Sequence, residues 1–121
     1  MDIRSDILSE VLARRNDPED EILLTLWNSV NEVGLRANPL GRAEQIRRAR
    51  AWVESKLIEN RAALCALPLV TRYCAGEEMT EAVIAAIAEF FAAKVGLQNG
   101  VAIGLVASRQ GLKRFCSGSQ D

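Results

Sequence analysis

An apolar, alanine-rich stretch from residue 82 to residue 107 constrains the fold of this chain more than any other part of the sequence. Its interruptions are Glu89, Lys94 and the polar pair Gln98-Asn99. A membrane-spanning helix needs about 20 consecutive apolar residues, and each half of this stretch is shorter than that. We therefore predict two core helices that pair as a hairpin, with a hairpin that inserts into a membrane as the alternative.

Three glycines, Gly100, Gly104 and Gly111, follow at spacings of four and seven residues. They share one face if a single helix, capped by Asn99, runs from Gly100 to about Phe115. Each helical glycine costs up to about 1 kcal/mol of helix propensity, so we expect a compensating close approach between helices. We interpret these glycines as packing inside the monomer, and a self-associating face is the alternative.

Start and stop signals predict two helices near the N-terminus. The apolar residues of 2–14 recur on one helical face. A second helix is predicted to begin where Asp17 caps it and Pro18 takes its first position. Gly34 is predicted to end this helix, because glycine commonly follows a helix C-terminus.

The middle of the chain is predicted to hold a long helix, a break and a short helix. The long helix is predicted over residues 42–63. Pro68 lies inside the apolar run that follows and disfavours a continuous helix, so we expect a short helix that Gly76 closes. A strand over residues 69–73 is the alternative, but the sequence offers no second strand to pair with it.

Composition and the remaining signals define the fold class. The first helix of the hairpin is predicted to begin near residues 77–80 and to end at Gly96. Aromatic residues make up only 5% of the chain, so the core must consist mostly of aliphatic side chains, which favours packed helices over a sheet. We predict an all-α fold, a compact irregular bundle of five to six helices. One domain is expected over residues 1–116, with a flexible C-terminal tail over 117–121.

Charge is distributed unevenly along the chain, although its net value is only −1. Residues 1–35 carry eight acids and three arginines, which gives −5, and residues 36–61 carry seven bases and three glutamates, which gives +4. Two clusters stand out: an arginine face on the predicted third helix and acids at the start of the second. The arginine face consists of Arg42, Arg47, Arg48 and Arg50, and the acidic cluster consists of Asp17, Glu19 and Asp20.

The arginine face has three interpretations. It is a solvated surface paired with acids of the same chain, a charge-complementary surface for another protein, or a set of phosphate contacts for nucleic acid. A recognition helix would also need side chains that read bases, and the ones available here are Glu44 and Gln45.

The cysteines and the absence of histidine limit the chemistry. Cys65, Cys74 and Cys116 have no CxxC spacing, and no histidine is present to complete a zinc site. With no signal peptide at the N-terminus, we expect a cytoplasmic protein with reduced thiols, and a regulatory cysteine pair is the alternative. The commonest general base is absent, and no phosphate-binding glycine loop occurs. We predict no catalytic residue, no metal and no cofactor.

These observations predict a non-enzymatic protein–protein interaction module, an adaptor or regulatory domain that binds another protein or a second copy of itself. The alternatives are a membrane-active helical hairpin and a small nucleic-acid binder that uses the arginine face. A ligand pocket lined by Trp27, Trp52 or Phe90 also stays open. The candidate interaction surface consists of the arginine face, the acidic cluster and the three glycines Gly100, Gly104 and Gly111.

Overall fold

The computed structural model of the chain describes residues 4–30 and 41–117, and these residues contain helices and no strands. The eight helices are α1 (Ser5–Arg14), α2 (Glu19–Val30), α3 (Arg42–Glu59), α4 (Arg61–Cys65), α5 (Pro68–Cys74), α6 (Glu81–Val95), α7 (Leu97–Ser108) and α8 (Leu112–Ser117). The all-α prediction is confirmed. The helices of the described ranges outnumber the five to six predicted, because two predicted helices are each broken in two.

The first break divides the predicted third helix. Asn60, with φ −115° and ψ 19°, leaves helical geometry between α3 and α4. Its side-chain amide donates a hydrogen bond to the carbonyl of Lys56 at 2.9 Å, which satisfies one of the carbonyls left without a partner at the end of a helix. The helix is therefore interrupted at Asn60 and α4 begins at Arg61, which the apolar periodicity of the sequence did not indicate.

The second break divides the predicted last helix, whose start was also wrong. The helix α7 begins at Leu97, and Gly96, with φ 96°, takes the N-cap position. Asn99 lies inside the helix, and its side chain donates to the carbonyl of Val95 at 3.1 Å instead of capping. The chain leaves the helix after residue 108, so Gly111 does not share a helix with the other two glycines.

Several local signals were interpreted correctly. Helix α5 starts at Pro68, and Gly76 follows it with φ 127°. At the start of α6 the hydroxyl of Thr80 accepts a hydrogen bond from the amide of Val83 at 3.4 Å, within the predicted start region. The strand alternative for residues 69–73 is wrong, since these residues are helical.

The start of α2 lies one position later than predicted. The carbonyl of Pro18 accepts the first helical hydrogen bond, from the amide of Ile22 at 3.2 Å, so Pro18 and not Asp17 takes the N-cap position. The predicted end of this helix at Gly34 lies outside the described residues. At the other terminus, α8 extends to Ser117, and the boundary between domain and tail stays a prediction because residues 118–121 also lie outside them.

Helices α6 and α7 form the predicted hairpin, and α7 is the central helix of the bundle. Every residue of α7 from Gly100 to Ala107 is buried, which is expected of a helix enclosed on all sides. It packs against α6 and also against α1, α2 and α3. Within the described residues, no helix combines the length and the apolar character that crossing a membrane requires.

Gly100 and Gly104 allow the backbones of α6 and α7 to touch. A Cβ atom at Gly100 would lie 2.6 Å from the amide nitrogen of Ala92 and 2.7 Å from the carbonyl oxygen of Ala88. A Cβ atom at Gly104 would lie 2.9 Å from the carbonyl oxygen of Ile84. The close approach that the glycines predicted is thus made within the chain.

Replacing Gly100 with alanine tests this contact. The new methyl group meets backbone atoms that cannot rotate away, and overpacking of this kind costs about 1–3 kcal/mol or more. The gain in helix propensity, at most about 1 kcal/mol, offsets part of the cost. We expect Gly100→Ala to lower the free energy of unfolding by about 2 kcal/mol in urea denaturation.

Gly41→Ala is the control, because Gly41 has nothing within 4 Å of its Cβ position and lies before α3. Its effect is expected to stay below about 1 kcal/mol, the typical scale of an N-cap change. Equal unfolding free energies for the two variants would show that α6 and α7 are not in backbone contact.

Candidate functional site

The arginine face of α3 is largely paired with carboxylates of the same chain. Arg50 Nη2 lies 2.7 Å from Glu19 Oε2, and Arg42 Nη2 lies 3.3 Å from Glu21 Oε2. These two contacts join α3 to the first turn of α2, which carries several of the acidic residues of the N-terminal segment. The opposite charges of the two segments therefore meet within the chain, and Glu21 belongs to this contact although the sequence did not single it out.

The other two arginines of the face share one carboxylate on α3. Arg48 Nε donates to Glu44 Oε2 at 2.7 Å, and Arg47 forms a second ion pair with the same oxygen. Hydrogen bonds from Arg47 and then from Arg48 lower the pKa of Glu44 from its ordinary value of 4.5 to about 2. This cluster is exposed to solvent, so it adds little to stability. Its main effect is to neutralise part of the arginine face.

The remaining acidic candidates lie at the start of α2. Asp17 Oδ2 is 4.0 Å from Arg14 Nε, and Asp20 is exposed on the first helical turn. Together with Glu19 they surround the positive end of the helix dipole, where carboxylates are stabilised. This position accounts for their clustering in the sequence.

The pKa of Glu44 tests whether the arginine face is paired in solution. In the variant Arg47→Gln/Arg48→Gln we expect the pKa of Glu44 to rise from about 2 toward 4.5, because both charged donors are lost. A titration of the Glu44 carboxyl carbon by NMR measures it. Arg42→Gln, which removes the partner of Glu21 instead, should leave the pKa of Glu44 unchanged.

The lowered pKa of Glu44 determines how its contribution to the stability of the fold depends on pH. The folded-state pKa of Glu44 lies below its unfolded value, so any contribution to stability is complete above about pH 4.5 and is lost as the pH falls toward 2. A Glu44 pKa near 4.5 in the unaltered protein would contradict the pairing and leave the arginine face available to a partner.

A groove of about 920 Å³ lies elsewhere on the surface, between the C-terminal end of α3 and α8. We call it the α3–α8 groove. Its lining combines aliphatic, aromatic and basic side chains from several helices. The residues that line it are Glu54, Leu57, Ile58, Arg61, Tyr73, Ala107, Gln110, Gly111, Leu112, Lys113, Arg114 and Phe115. Gly111 is the member of the sequence-predicted interaction surface that lies here.

The groove has an apolar floor and one exposed aliphatic side chain on its lining. Leu57, Ala107 and Leu112 are buried in the core. Ile58 is 66% exposed, and among the described residues the other large exposed apolar side chain is Leu12 on α1, at 50%. Ile58 follows Leu57 directly and falls outside the apolar stripe of α3. That departure from the helical period was a signal in the sequence that pointed to this surface.

The charges around the groove are predominantly positive. Arg61, Lys113 and Arg114 line it together with a single carboxylate, Glu54. The guanidinium carbon of Arg61 lies 5.0 Å from the ring centroid of Phe115. This cation–π contact holds the guanidinium of Arg61 at the groove.

Lys113 is held at the groove in a similar way. Its Nζ lies 5.0 Å from the ring centroid of Tyr73 on α5. The aromatic residues that line the groove are therefore Tyr73 and Phe115, and not Trp27, Trp52 or Phe90, which the sequence suggested for a ligand pocket.

A disulfide joins Cys65 of α4 to Cys116 of α8, 51 positions apart in the sequence. The expectation of three reduced thiols is therefore wrong for this pair, and Cys74 is the free cysteine. Burial raises the pKa of the Cys74 thiol, although Lys113 opposes the shift. The sequence could not identify the pair, because neither cysteine has a spacing motif and their proximity arises from the packing of α4, α5 and α8.

No group of three or more metal-ligating side chains comes together within residues 4–30 and 41–117. The absence of a cofactor and of catalytic residues stays a prediction. Comparison with known proteins found no matching protein family, no matching curated protein and no matching solved structure.

Proposed function

We propose that the chain is a non-enzymatic protein–protein interaction module that binds an acidic amphipathic helix of a partner protein in the α3–α8 groove. The observation that carries the proposal is the combination of a buried apolar floor, the exposed side chain of Ile58 and three cations against one carboxylate. An apolar surface that is exposed beside basic residues favours a partner with an apolar stripe and acidic flanks.

The backbone of the chain favours a helical occupant over an extended one. The described residues contain no strand, so no sheet edge among them offers free backbone groups to an added strand. Along α3 the lining extends from Glu54 to Ile58 and continues to Arg61 at the start of α4. Within α3 the lining covers about 6 Å of helix axis, roughly one turn at 1.5 Å per residue.

The arginine face is a weaker candidate for the same role. Arg50 and Arg42 contact carboxylates of α2, and Arg47 and Arg48 contact Glu44. A phosphate or an acidic partner would have to displace these contacts. Membrane insertion of the α6–α7 hairpin would in turn expose the central helix and separate it from α1, α2 and α3, with the loss of most of the core.

Binding of a synthetic helix tests the proposal directly. The probe is a fluorescein-labelled amphipathic peptide of about five turns, with leucines on one face and glutamates on the others; its matched control has lysine in place of glutamate. We expect the glutamate peptide to bind in a fluorescence-anisotropy titration and the lysine peptide to bind at least about tenfold more weakly, because the groove is basic.

Two pairs of matched variants locate the site. Ile58→Glu should weaken binding of the glutamate peptide about tenfold or more. Leu12→Glu also replaces an exposed aliphatic side chain with glutamate, but on α1 and outside the groove, and it should leave the peptide affinity unchanged. Lys113→Glu should weaken peptide binding as well. Lys94→Glu is its control, because Lys94 also lies over an aromatic ring, 5.1 Å from the centroid of Phe90, but outside the groove.

Three results would overturn the proposal. The first is a Kd for the glutamate peptide that is weaker than about 1 mM. The second is an equal loss of peptide affinity in Leu12→Glu and Ile58→Glu. The third is a dimer in analytical ultracentrifugation that Ile58→Glu abolishes, since this would assign the groove to a second copy of the chain.

The predicted cytoplasmic location is kept as part of this proposal. Disulfides of cytoplasmic proteins are usually transient or redox-sensing, whereas those of secreted proteins are permanent. The Cys65–Cys116 bond is compatible with a cytoplasmic protein if it forms and breaks in response to conditions.

A further inference from the structure

We propose that the Cys65–Cys116 disulfide is a redox switch that holds α8 in place as one wall of the α3–α8 groove, so that its reduction by a dithiol weakens partner binding. This inference rests on the proposed function of the groove. It concerns when the groove is formed and not what it binds.

The disulfide connects two helices that both line the groove. Cys116 belongs to α8, which supplies Leu112, Lys113 and Phe115 to the lining. Cys65 belongs to α4, whose first residue, Arg61, lines the groove as well. A single covalent bond therefore fixes the distance between the two helices that carry the basic residues of the site.

Besides the disulfide, α8 packs against α5, where Lys113 lies over the ring of Tyr73. A helix of six residues is not stable by itself in water, so the helical structure of α8 depends on its contacts with the rest of the chain. Leu112 anchors its first turn in the core, at 3% exposure. Farther along, Phe115 is half-buried beneath Arg61 and packs against the core, and the disulfide at Cys116 adds a covalent tie at this end. Breaking the bond would remove that covalent tie and loosen the end of α8 that carries Phe115.

The bond is accessible to a reductant. Cys65 and Cys116 are both partly exposed, and exposed disulfides are the ones that exchange with external thiols. Both ends lie in short helices, α4 and α8, at the edge of the bundle, and neither lies in α6 or α7, which form its centre. Reduction therefore acts on the groove without requiring the central hairpin to open.

The chemistry balances with a dithiol as the co-reactant. One thiolate of the dithiol attacks a sulfur of the Cys65–Cys116 bond and forms a mixed disulfide, and the other cysteine leaves as a thiol. The second thiol of the reductant then displaces the remaining cysteine and closes the reductant's own disulfide. Two electrons and two protons pass from the dithiol to the protein, which gains two thiols.

The experiment compares binding of the glutamate peptide by oxidised and reduced protein. We expect dithiothreitol to weaken binding at least about tenfold, and reoxidation to restore it. The variant Cys65→Ser/Cys116→Ser should bind as weakly as the reduced protein and should not respond to dithiothreitol. Cys74→Ser, which leaves the disulfide intact, should behave as the unaltered protein in both states.

The outcomes separate the switch from the proposed function. If the oxidised protein does not bind the peptide, the function of the groove itself is wrong. If oxidised and reduced protein bind the peptide equally, or if the reduced protein binds it more tightly, the redox switch is wrong and the proposed function of the groove is retained. Far-UV circular dichroism is recorded on the same samples. Loss of most helical signal on reduction would also overturn the switch, because the bond would then hold the whole fold together.

Discussion

The backbone contact between α6 and α7 is the constraint on which the rest of the structure depends. Gly100 and Gly104 have no side chain, so α7 approaches α6 until backbone atoms touch. This contact places α7 at the centre, where α1, α2 and α3 pack around it and its residues from Gly100 to Ala107 are buried. The end of α7 is fixed in turn, and from there the chain turns through Gly111 into α8. The position of the groove is therefore a consequence of helix packing in the core.

Helix α3 presents two surfaces of different character. Its N-terminal half carries the arginines, which contact carboxylates of α2 and of α3 itself. Exposed ion pairs contribute little to stability, and their effect is to leave little unpaired positive charge on that half. Its C-terminal end carries Ile58 and contributes to a groove in which Arg61, Lys113 and Arg114 face a single carboxylate, Glu54. This is the end of α3 at which we propose that an acidic partner binds.

Local features of the fold could be predicted because their causes lie within a turn or two of chain. Pro68 fixes φ in the first turn of α5, Gly76 takes a positive φ just after its end, and Thr80 caps α6 through its own hydroxyl. The glycine spacing also gave the close contact of the hairpin correctly. The same reasoning failed at Asn60 and at Asn99. Each asparagine donates to a carbonyl four residues earlier, and a local pattern does not show whether that bond ends a helix or lies inside one.

The sequence by itself determined the helical class, the hairpin of residues 82–107 and the presence of opposite charges in neighbouring segments. Only the tertiary structure decided which groups meet. Arg50 reaches Glu19, Cys65 pairs with Cys116, and Ile58 lies in one groove with Phe115. The physical reason is that helix formation and capping depend on neighbours in the chain, whereas ion pairs, disulfides and grooves depend on how helices pack. Residues such as Cys65 and Cys116, 51 positions apart, become neighbours only when the helices between them take fixed positions around α7.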